Sequence, residues 1–458
     1  MGKRKSIIVI GAGAAGLMAA CAAADEGADV TVIEKNEKAG KKIYITGKGR
    51  CNFTNACDTA DYFRNVISNP KFLYSAVYDF DQQAMIRFLE DNGCPTKVER
   101  GNRAFPLSDH ASDVTRALTD HLRKHGGKIL FHQTVTRILT EPVPDGDPHD
   151  DTQDRPESAG IPGEEKRRAV GVELPNGRKL RADAVILATG GRSYPSTGST
   201  GDGYRFAGEL GMEVREQSPS LVPFTVRESW PMTLQGLSLK NVAVKVLPAE
   251  DTDTGEKGKR RGGRRLRPVY EGFGEMLFTH FGVSGPLILS ASCHTDFREH
   301  PEGYVLHLDL KPALSMDQLA ARIQREFELA PQKEFVNAIR PLFPARLSDV
   351  MAQLSGLAAA ADGTPRKAVS VTVKEIQAFA ALVKNVPVTL TGTRGFNEAI
   401  ITRGGICVKE INPSSMESRR VQGLYIAGEV IDVDAYTGGF NLQIAWSTGH
   451  LAGVSAAS

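Results

Sequence analysis

No two of the six cysteines form a C-x-x-C pair, which removes the usual thiolate zinc sites and the dithiol redox motif. Cys51 and Cys57 stand six residues apart, a spacing that suits neither. No run of about 18 apolar residues is present, so no membrane-spanning helix is expected. The start MGKRKSIIVIGAG is basic, but its apolar run stops at Ile10. It reads as a strand rather than a secretory leader. Neither sign of charge is in excess: 56 Lys and Arg face 54 Asp and Glu, for a formal net charge of +2. No whole-molecule field therefore marks out a polyanionic partner. The G-x-x-x-x-G-K-[ST] spacing of a P-loop is absent, and no internal repeat is visible. The expected setting is a reducing cytoplasm, with no membrane attachment and no metal.

What is present is a globular chain of 458 residues, 41% hydrophobic and 24% charged, long enough for two or three domains. Its clearest signal lies in the first 35 residues. SIIVI reads as a parallel strand buried on both faces. GAGAAG follows at once and sets Gly11, Gly13 and Gly16 in G-x-G-x-x-G spacing. LMAACAAADEG reads as a helix, and DVTVIEK as a second strand closing on Glu34. The flanking strand, helix and acid make this a dinucleotide fingerprint. Gly11 permits the tight turn, Gly13 lets the backbone approach a pyrophosphate, and Gly16 permits close helix–strand packing. The helix start at Ala14 and Ala15 offers free N–H groups and a positive dipole end to phosphate. Glu34 is placed to accept from a ribose hydroxyl.

Two later segments bear on which dinucleotide is bound. ADAVILATGGRS is a buried strand ending in Ala188-Thr189-Gly190, preceded by a hairpin with Pro-Asn-Gly at its turn. Near the C-terminus a strand runs into Gly428-Glu429, and a loop then leads to Gly438-Gly439 at the head of an apolar helix. A second helix N-terminus so far along the chain suggests a cofactor spanning both ends of the domain. FAD is long enough to do so.

These stations resemble the FAD-binding domain of the two-dinucleotide-binding-domain flavoproteins, and more specifically the HI0933-like or BaiN-like flavoproteins, a family of NAD(P)/FAD-dependent oxidoreductases. The resemblance covers nearly the whole chain. It is carried by GKGRCNFTN, GNRAFPLSDHASDV, ATGGRSYPSTGSTGDGY, LVPFTV, LFTHFGVSGPLIL, GGICVKEINPSSMESR and AGEVIDVDAYTGGFNLQIAWSTG. It implies an α/β fold in three parts. A Rossmann-type FAD-binding domain spans 1–191 plus 393–458. A β-barrel substrate domain is inserted at 192–392, with a small helical subdomain at 313–385. It also implies cofactor contacts beyond the fingerprint. Lys35 would contact the cofactor, Gly40, Lys41 and Lys42 would lie near the pyrophosphate or ribose, and Val135 would make an adenine-side backbone contact. The stretch Thr46, Gly47, Gly49, Arg50, Cys51 and Asn52 would approach the flavin ring. Glu429 would stand at the ribitol, where many relatives have Asp. Phe440, Asn441 and Leu442 would follow Gly438 and Gly439 at the second helix start.

Residue patterns in the middle of the chain agree with an insert. Residues 141–168 are rich in Pro, Asp and Gly and read as a mobile insertion. LVPFTV, NVAVKVLP, YVLHLDLKP and VPVTLTGT read as short barrel strands, and KILFHQTVTRILTE as strand-like. GEKGKRRGGRRLRP, residues 255–268 with a basic core at 257–267, is either a solvated loop or a contact for ribosomal RNA phosphates. His280 is either a proton donor or a structural residue. Cys51 either faces flavin chemistry or packs beneath the ring. No second G-x-G-x-x-G exists, so NAD(P)H, as electron donor, would have to visit the flavin face directly. The family implies reduction of an activated C=C bond: uracil in large-subunit ribosomal RNA, giving dihydrouridine, or steroid-like enones as small-molecule substrates. Oxidation of a small amine stays open, as does a non-catalytic FAD-containing sensor or assembly factor.

Overall fold

The computed structural model describes residues 4–143, 166–249 and 267–458. Most of the 141–168 segment, and the basic run apart from Arg267 and Pro268, lie outside the described residues. The chain forms two compact units, Met1–Ser220 with Gly395–Ser458, and Leu221–Arg394.

The first unit is built on a parallel sheet of β1 (Ser6–Ile10), β2 (Asp29–Ile33), β3 (Lys128–Leu130), β4 (Ala184–Leu187) and β5 (Leu424–Ile426). The order is β5-β4-β1-β2-β3. Strand order reverses at β1, which pairs with β2 on one side and β4 on the other. A crevice at the carboxyl ends of β1 and β4 follows from that reversal. Two helices, α1 (Ala14–Asp25) and α3 (Phe440–Ala457), pack on the sheet and on each other, and α2 (Ala111–Lys124) packs on α1. Ten of the twelve α1 residues are buried, which is why its sequence is apolar all round rather than amphipathic.

Small residues let α1 and α3 meet backbone to backbone. A Cβ at Gly449 would lie 2.4 Å from the Ala15 carbonyl oxygen, and one at Gly453 would lie 2.3 Å from that of Ala19. At the head of α3, Trp446 Nε1 donates to the Phe53 carbonyl at 2.8 Å. That bond ties the helix to the 46–55 segment.

The run 128–141 is not one strand. β3 stops at Leu130 and the next strand begins at Arg137. Between them His132 takes a left-handed φ of 55°. The His132 and Gln133 N–H groups donate to the carbonyls of Asn36 and Glu34. Alternation alone could not reveal this break, because it is made by partners about a hundred residues away.

The second unit is a closed six-stranded barrel. Its strands are Phe224–Val226, Ser238–Pro248, Tyr270–Thr279, Gly282–Ser284, Tyr304–Asp309 and Val386–Thr393. Between the last two strands in sequence come the helices Met316–Leu329, Ala345–Ser355 and Val373–Lys384, which share the barrel's apolar core. Capping boxes at Ser315 and Thr372 start two of them. The α/β class with a Rossmann-type unit and a barrel carrying helices is the expected one. No helix among the described residues is long and apolar enough to cross a membrane.

Gly453→Leu should lower stability by at least about 3 kcal/mol, since the added side chain meets backbone that cannot give way. Gly208→Ala, where an added Cβ meets nothing within 4 Å, should be neutral or slightly stabilising. Thermal unfolding of the two variants against wild type tests the contrast; equal melting temperatures would refute the close approach.

Candidate active site

The crevice at the switch point is a cavity open to solvent. The glycine turn forms its floor. Gly11 has φ of 101°, and a Cβ there would lie 2.6 Å from the Ala188 carbonyl oxygen. A Cβ on Gly16 would lie 1.9 Å from the Gly11 carbonyl oxygen. Gly13 differs: a Cβ would meet nothing within 4 Å and would point into open space. α1 begins directly after Gly13 with no side-chain cap and no acid in its first turn. Its free N–H groups, at Ala14 and Ala15, line the cavity.

Glu34 closes the adenosine side. It is buried, and its Oε2 accepts from the Ala12 N–H at 2.8 Å. Its Oε1 accepts from the Asn36 N–H and Nδ2 at 2.8 and 2.7 Å. The carboxylate thus fixes the glycine turn while lining the cavity. Val135 lines it too, as do Ala188, Thr189 and Gly190 after β4. The Thr189 hydroxyl is buried with no hydrogen-bond partner.

Three lysines border the cavity, and all are paired. Lys41 Nζ donates to Glu37 Oε2 at 3.2 Å. Lys35 Nζ donates to Thr200 Oγ1 at 2.6 Å and to Asp202 Oδ2 at 2.7 Å. Lys42 Nζ donates to Ser193 Oγ at 2.5 Å and to Glu429 Oε2 at 2.7 Å. Glu429 also accepts from Ser193 Oγ at 2.7 Å and from the Thr402 N–H at 2.9 Å. Burial alone would raise the Glu429 carboxyl. The Lys42 ammonium and these hydrogen bonds outweigh it and hold the group below the ordinary carboxylate value.

The remaining expected residues do not line this cavity. Gly40 donates its N–H to the Ala12 carbonyl at 2.7 Å. Thr46, Gly47 and Gly49 shape a kinked turn, in which Lys48 and then Cys51 take left-handed φ of 59° and 60°. Arg50 pairs with Glu99 and Asp109 and lies over the Phe105 ring at 4.2 Å. The Cys51 thiol is fully buried. Burial pushes it up to about 12, offset in part by a hydrogen bond with Thr46. Asn52 Oδ1 is buried without a partner. Gly428 packs on Ala15, and Gly439 passes so close to Thr54 that a Cβ would lie 2.4 Å from its carbonyl. α3 then starts at Phe440 with no side-chain cap. Asn441 spends its side chain on the Ala435 N–H and carbonyl, and Leu442 packs against the core. His280 belongs to the barrel unit, exposed in the turn after Thr279 and edge-on to Phe281.

Sequence reading passed over three groups. Thr197, Gly198, Ser199 and Asp202 close one side of the cavity; the signal was the Gly/Ser/Thr-rich run STGSTGDG. Ser193 and Thr402 hold Glu429. Asp434 is 1% exposed, and neither carboxylate oxygen meets a donor at hydrogen-bonding geometry. Burial raises its pKa, although Ser68 and Arg403 nearby pull the other way. An acid in the mostly apolar run VIDVDA was the available clue.

The donor set fits FAD. An uncapped helix start faces open space over Gly13, an acid stands at the end of β2, and a buried hydroxyl lacks a partner. Those residues would hold the pyrophosphate and ribose.

Over residues 5–455 the chain matches the family described as the HI0933-like protein Rossmann domain. A ribosomal RNA dihydrouridine synthase of Haemophilus influenzae is 30% identical over 98% of this chain and 97% of its own. A 3-dehydro-bile acid delta(4,6)-reductase of Clostridium scindens is 30% identical over 98% of both. A ribosomal RNA dihydrouridine synthase of Escherichia coli is 28% identical over 97% of this chain and 96% of its own.

Gly13→Val should fold, because the backbone there is ordinary and the added side chain meets no protein. It should lose flavin by more than about tenfold, since that side chain occupies the phosphate cradle. Full flavin absorbance in the purified variant would refute the cradle. Asp434 gives a second test. Its raised folded pKa means its contribution is fully present below the unfolded pKa and is lost as pH rises through the folded one. Asp434→Asn should therefore match wild type in melting temperature near about pH 4 and exceed it near about pH 8. A variant less stable than wild type at the higher pH would show that the ionised form is used.

Proposed function

The chain belongs to the HI0933-like family, and we propose that it is an FAD-dependent reductase of a carbonyl-conjugated C=C bond, with uracil in large-subunit ribosomal RNA as substrate. The observation that carries this reading is the full-length match to relatives named for two different reactions. Making dihydrouridine and reducing a dehydro-bile acid share one chemistry, the addition of two hydrogens across an activated alkene.

Bound FAD, once reduced by NAD(P)H, would supply the hydride. The chain's own residues do the rest. The free N–H groups of α1 hold the pyrophosphate, Glu34 holds the ribose, and the Lys42–Glu429 pair borders the cofactor's path. Hydride added to uracil C6 places negative charge on C5 and O4, which calls for hydrogen-bond donors and an acid. Burial and a thiol near 12 favour packing for Cys51 over proton donation. His280, exposed on the barrel unit, is the proton donor in this reading. With no second dinucleotide fingerprint, NAD(P)H delivers electrons by direct approach to the flavin. The basic run at 255–268 binds RNA phosphates, and a ribosomal RNA substrate implies the cytoplasm. A steroid-like enone is the second reading, favoured by the equal 30% identity to the bile acid enzyme.

Ribosomal RNA from a deletion strain should lack one dihydrouridine by mass spectrometry, and plasmid-borne protein should restore it. An unchanged modification pattern would leave the enone reading in its place. Replacing Arg260, Arg261, Arg264 and Arg265 with Gln should weaken RNA binding and flatten its salt dependence without changing flavin content. Cys51→Ala should keep its flavin and turn over substrate within about threefold of wild type, whereas loss of a general acid costs about a hundredfold or more. A loss of that size in Cys51→Ala, with flavin retained, would return the thiol to the proton-donor role.

A further inference from the structure

Away from the cofactor cavity, the C-terminal ends of α1 and α2 bring three metal-ligating side chains together. Asp25 is the last residue of α1, His121 lies in the last turn of α2, and His125 follows that helix directly. One ligand atom from each falls within 4.8 Å of the others. His121 Nε2 is 2.7 Å from Asp25 Oδ1, and His125 Nδ1 is 3.6 Å from the same oxygen. The two imidazole centroids are 4.3 Å apart.

The tautomer of His121 is set from outside the cluster. Its Nδ1 lies 2.9 Å from Asn92 Oδ1. Asn92 Nδ2 is committed to the Phe88 carbonyl at 2.8 Å, so the amide oxygen, an acceptor only, must face the ring. Nδ1 therefore carries the proton, and in the neutral ring Nε2 presents a lone pair to the Asp25 carboxylate. Two lone pairs at 2.7 Å repel unless a cation lies between or beside them. A proton can serve, as can a metal. An outer hydrogen bond that fixes a histidine and leaves its other nitrogen free is the usual setting of a metal ligand.

We propose that Asp25, His121 and His125 form a binding site for a divalent transition-metal ion, with zinc the best match. Imidazole nitrogen and carboxylate oxygen bind zinc at about 2.0–2.2 Å, and two such ligands in a tetrahedron stand about 3.3 Å apart. The separations of 2.7 and 3.6 Å bracket that value. Water completes the shell, since His125 and Asp25 keep 35% and 43% of their side-chain exposure. His125 Nδ1 lies 2.9 Å from the His121 carbonyl; a turn of the ring and a shift of its proton to Nε2 exchange that bond for the metal. The negative ends of two helix dipoles meet at this point and favour a cation. Asp25 closes the helix that opens at Gly13, about 18 Å along its axis, so the ion clamps α1 to α2 without touching the cofactor.

The test uses the full-length flavoprotein, treated with a chelator and then titrated with zinc chloride or cobalt chloride alone. One equivalent should bind, cobalt should give a tetrahedral visible spectrum, and zinc should raise the melting temperature. His121→Ala and His125→Ala should each weaken zinc binding by at least about a hundredfold. Unchanged flavin content in both would confirm that the fold is intact. Cys57→Ser should bind like wild type. Zinc affinity unchanged in both histidine variants, or no binding at about 10 µM zinc, where a usable site would fill, would overturn the proposal.

Discussion

The cofactor unit depends on how closely α1 approaches the backbone around it. On one side the helix meets the Gly11 turn, where any side chain at position 16 would overlap a carbonyl oxygen. On another it meets α3, across Gly449 and Gly453. A helix held on both sides by main chain cannot slide or rotate, so its N-terminus points in one fixed direction. That direction is the open space above Gly13. Glu34 adds the last restraint, because its bond to the Ala12 N–H fixes the turn from the side of the adenosine pocket. The composition of α1 follows from this geometry: Ala and Gly are required by approach distance, and no polar face is needed because hardly any face reaches water.

The same arrangement decides which charges remain for a dinucleotide. Lys35, Lys41 and Lys42 could seem obvious phosphate ligands, yet each already carries a carboxylate partner, Asp202, Glu37 and Glu429. Glu429 is held ionised by three separate donors. Drawing Lys42 away would leave that carboxylate without its countercharge, and the loss would exceed what a single phosphate contact returns. The positive potential left over is that of the α1 N–H groups. The donors at the cavity without a carboxylate partner are therefore main-chain N–H groups held in place by packing, and the lysine pairs shape the cavity wall.

Much of this was legible in the sequence. The fingerprint named Gly11, Gly13, Gly16 and Glu34; Gly11, Gly13 and Glu34 line the cavity, and Gly16 packs against the Gly11 carbonyl. Four of the six barrel strands were visible as short apolar runs, whereas Tyr270–Thr279 and Gly282–Ser284 were not read as strands. The misses share a cause. The break at 131–136 is made by bonds to Asn36 and Glu34. The Ser193, Thr402 and Glu429 cluster joins three segments over more than two hundred residues. Asp25, His121 and His125 meet only because α1 and α2 end at the same place. Local pattern reports what a residue does to its own helix or strand, and says nothing of a partner supplied by topology.

The loop containing Cys51 is held in a strained conformation by its surroundings. Lys48 and Cys51 sit in left-handed backbone, a conformation that costs L-residues about 1 kcal/mol or more each. Such strain persists only where the surroundings over-determine it. Here Arg50 is gripped by Glu99 and Asp109, the Phe53 carbonyl is held by Trp446, and Asn55 Nδ2 donates to the Gly438 carbonyl at 3.1 Å. The thiol fills a closed space beneath these ties. Directly after it comes Asn52, whose buried amide oxygen has no protein donor among the described residues. A buried acceptor of this kind is costly unless something supplies a hydrogen bond. The strained backbone at Cys51 leads directly into Asn52, so the group of this loop left wanting a hydrogen bond is that amide oxygen.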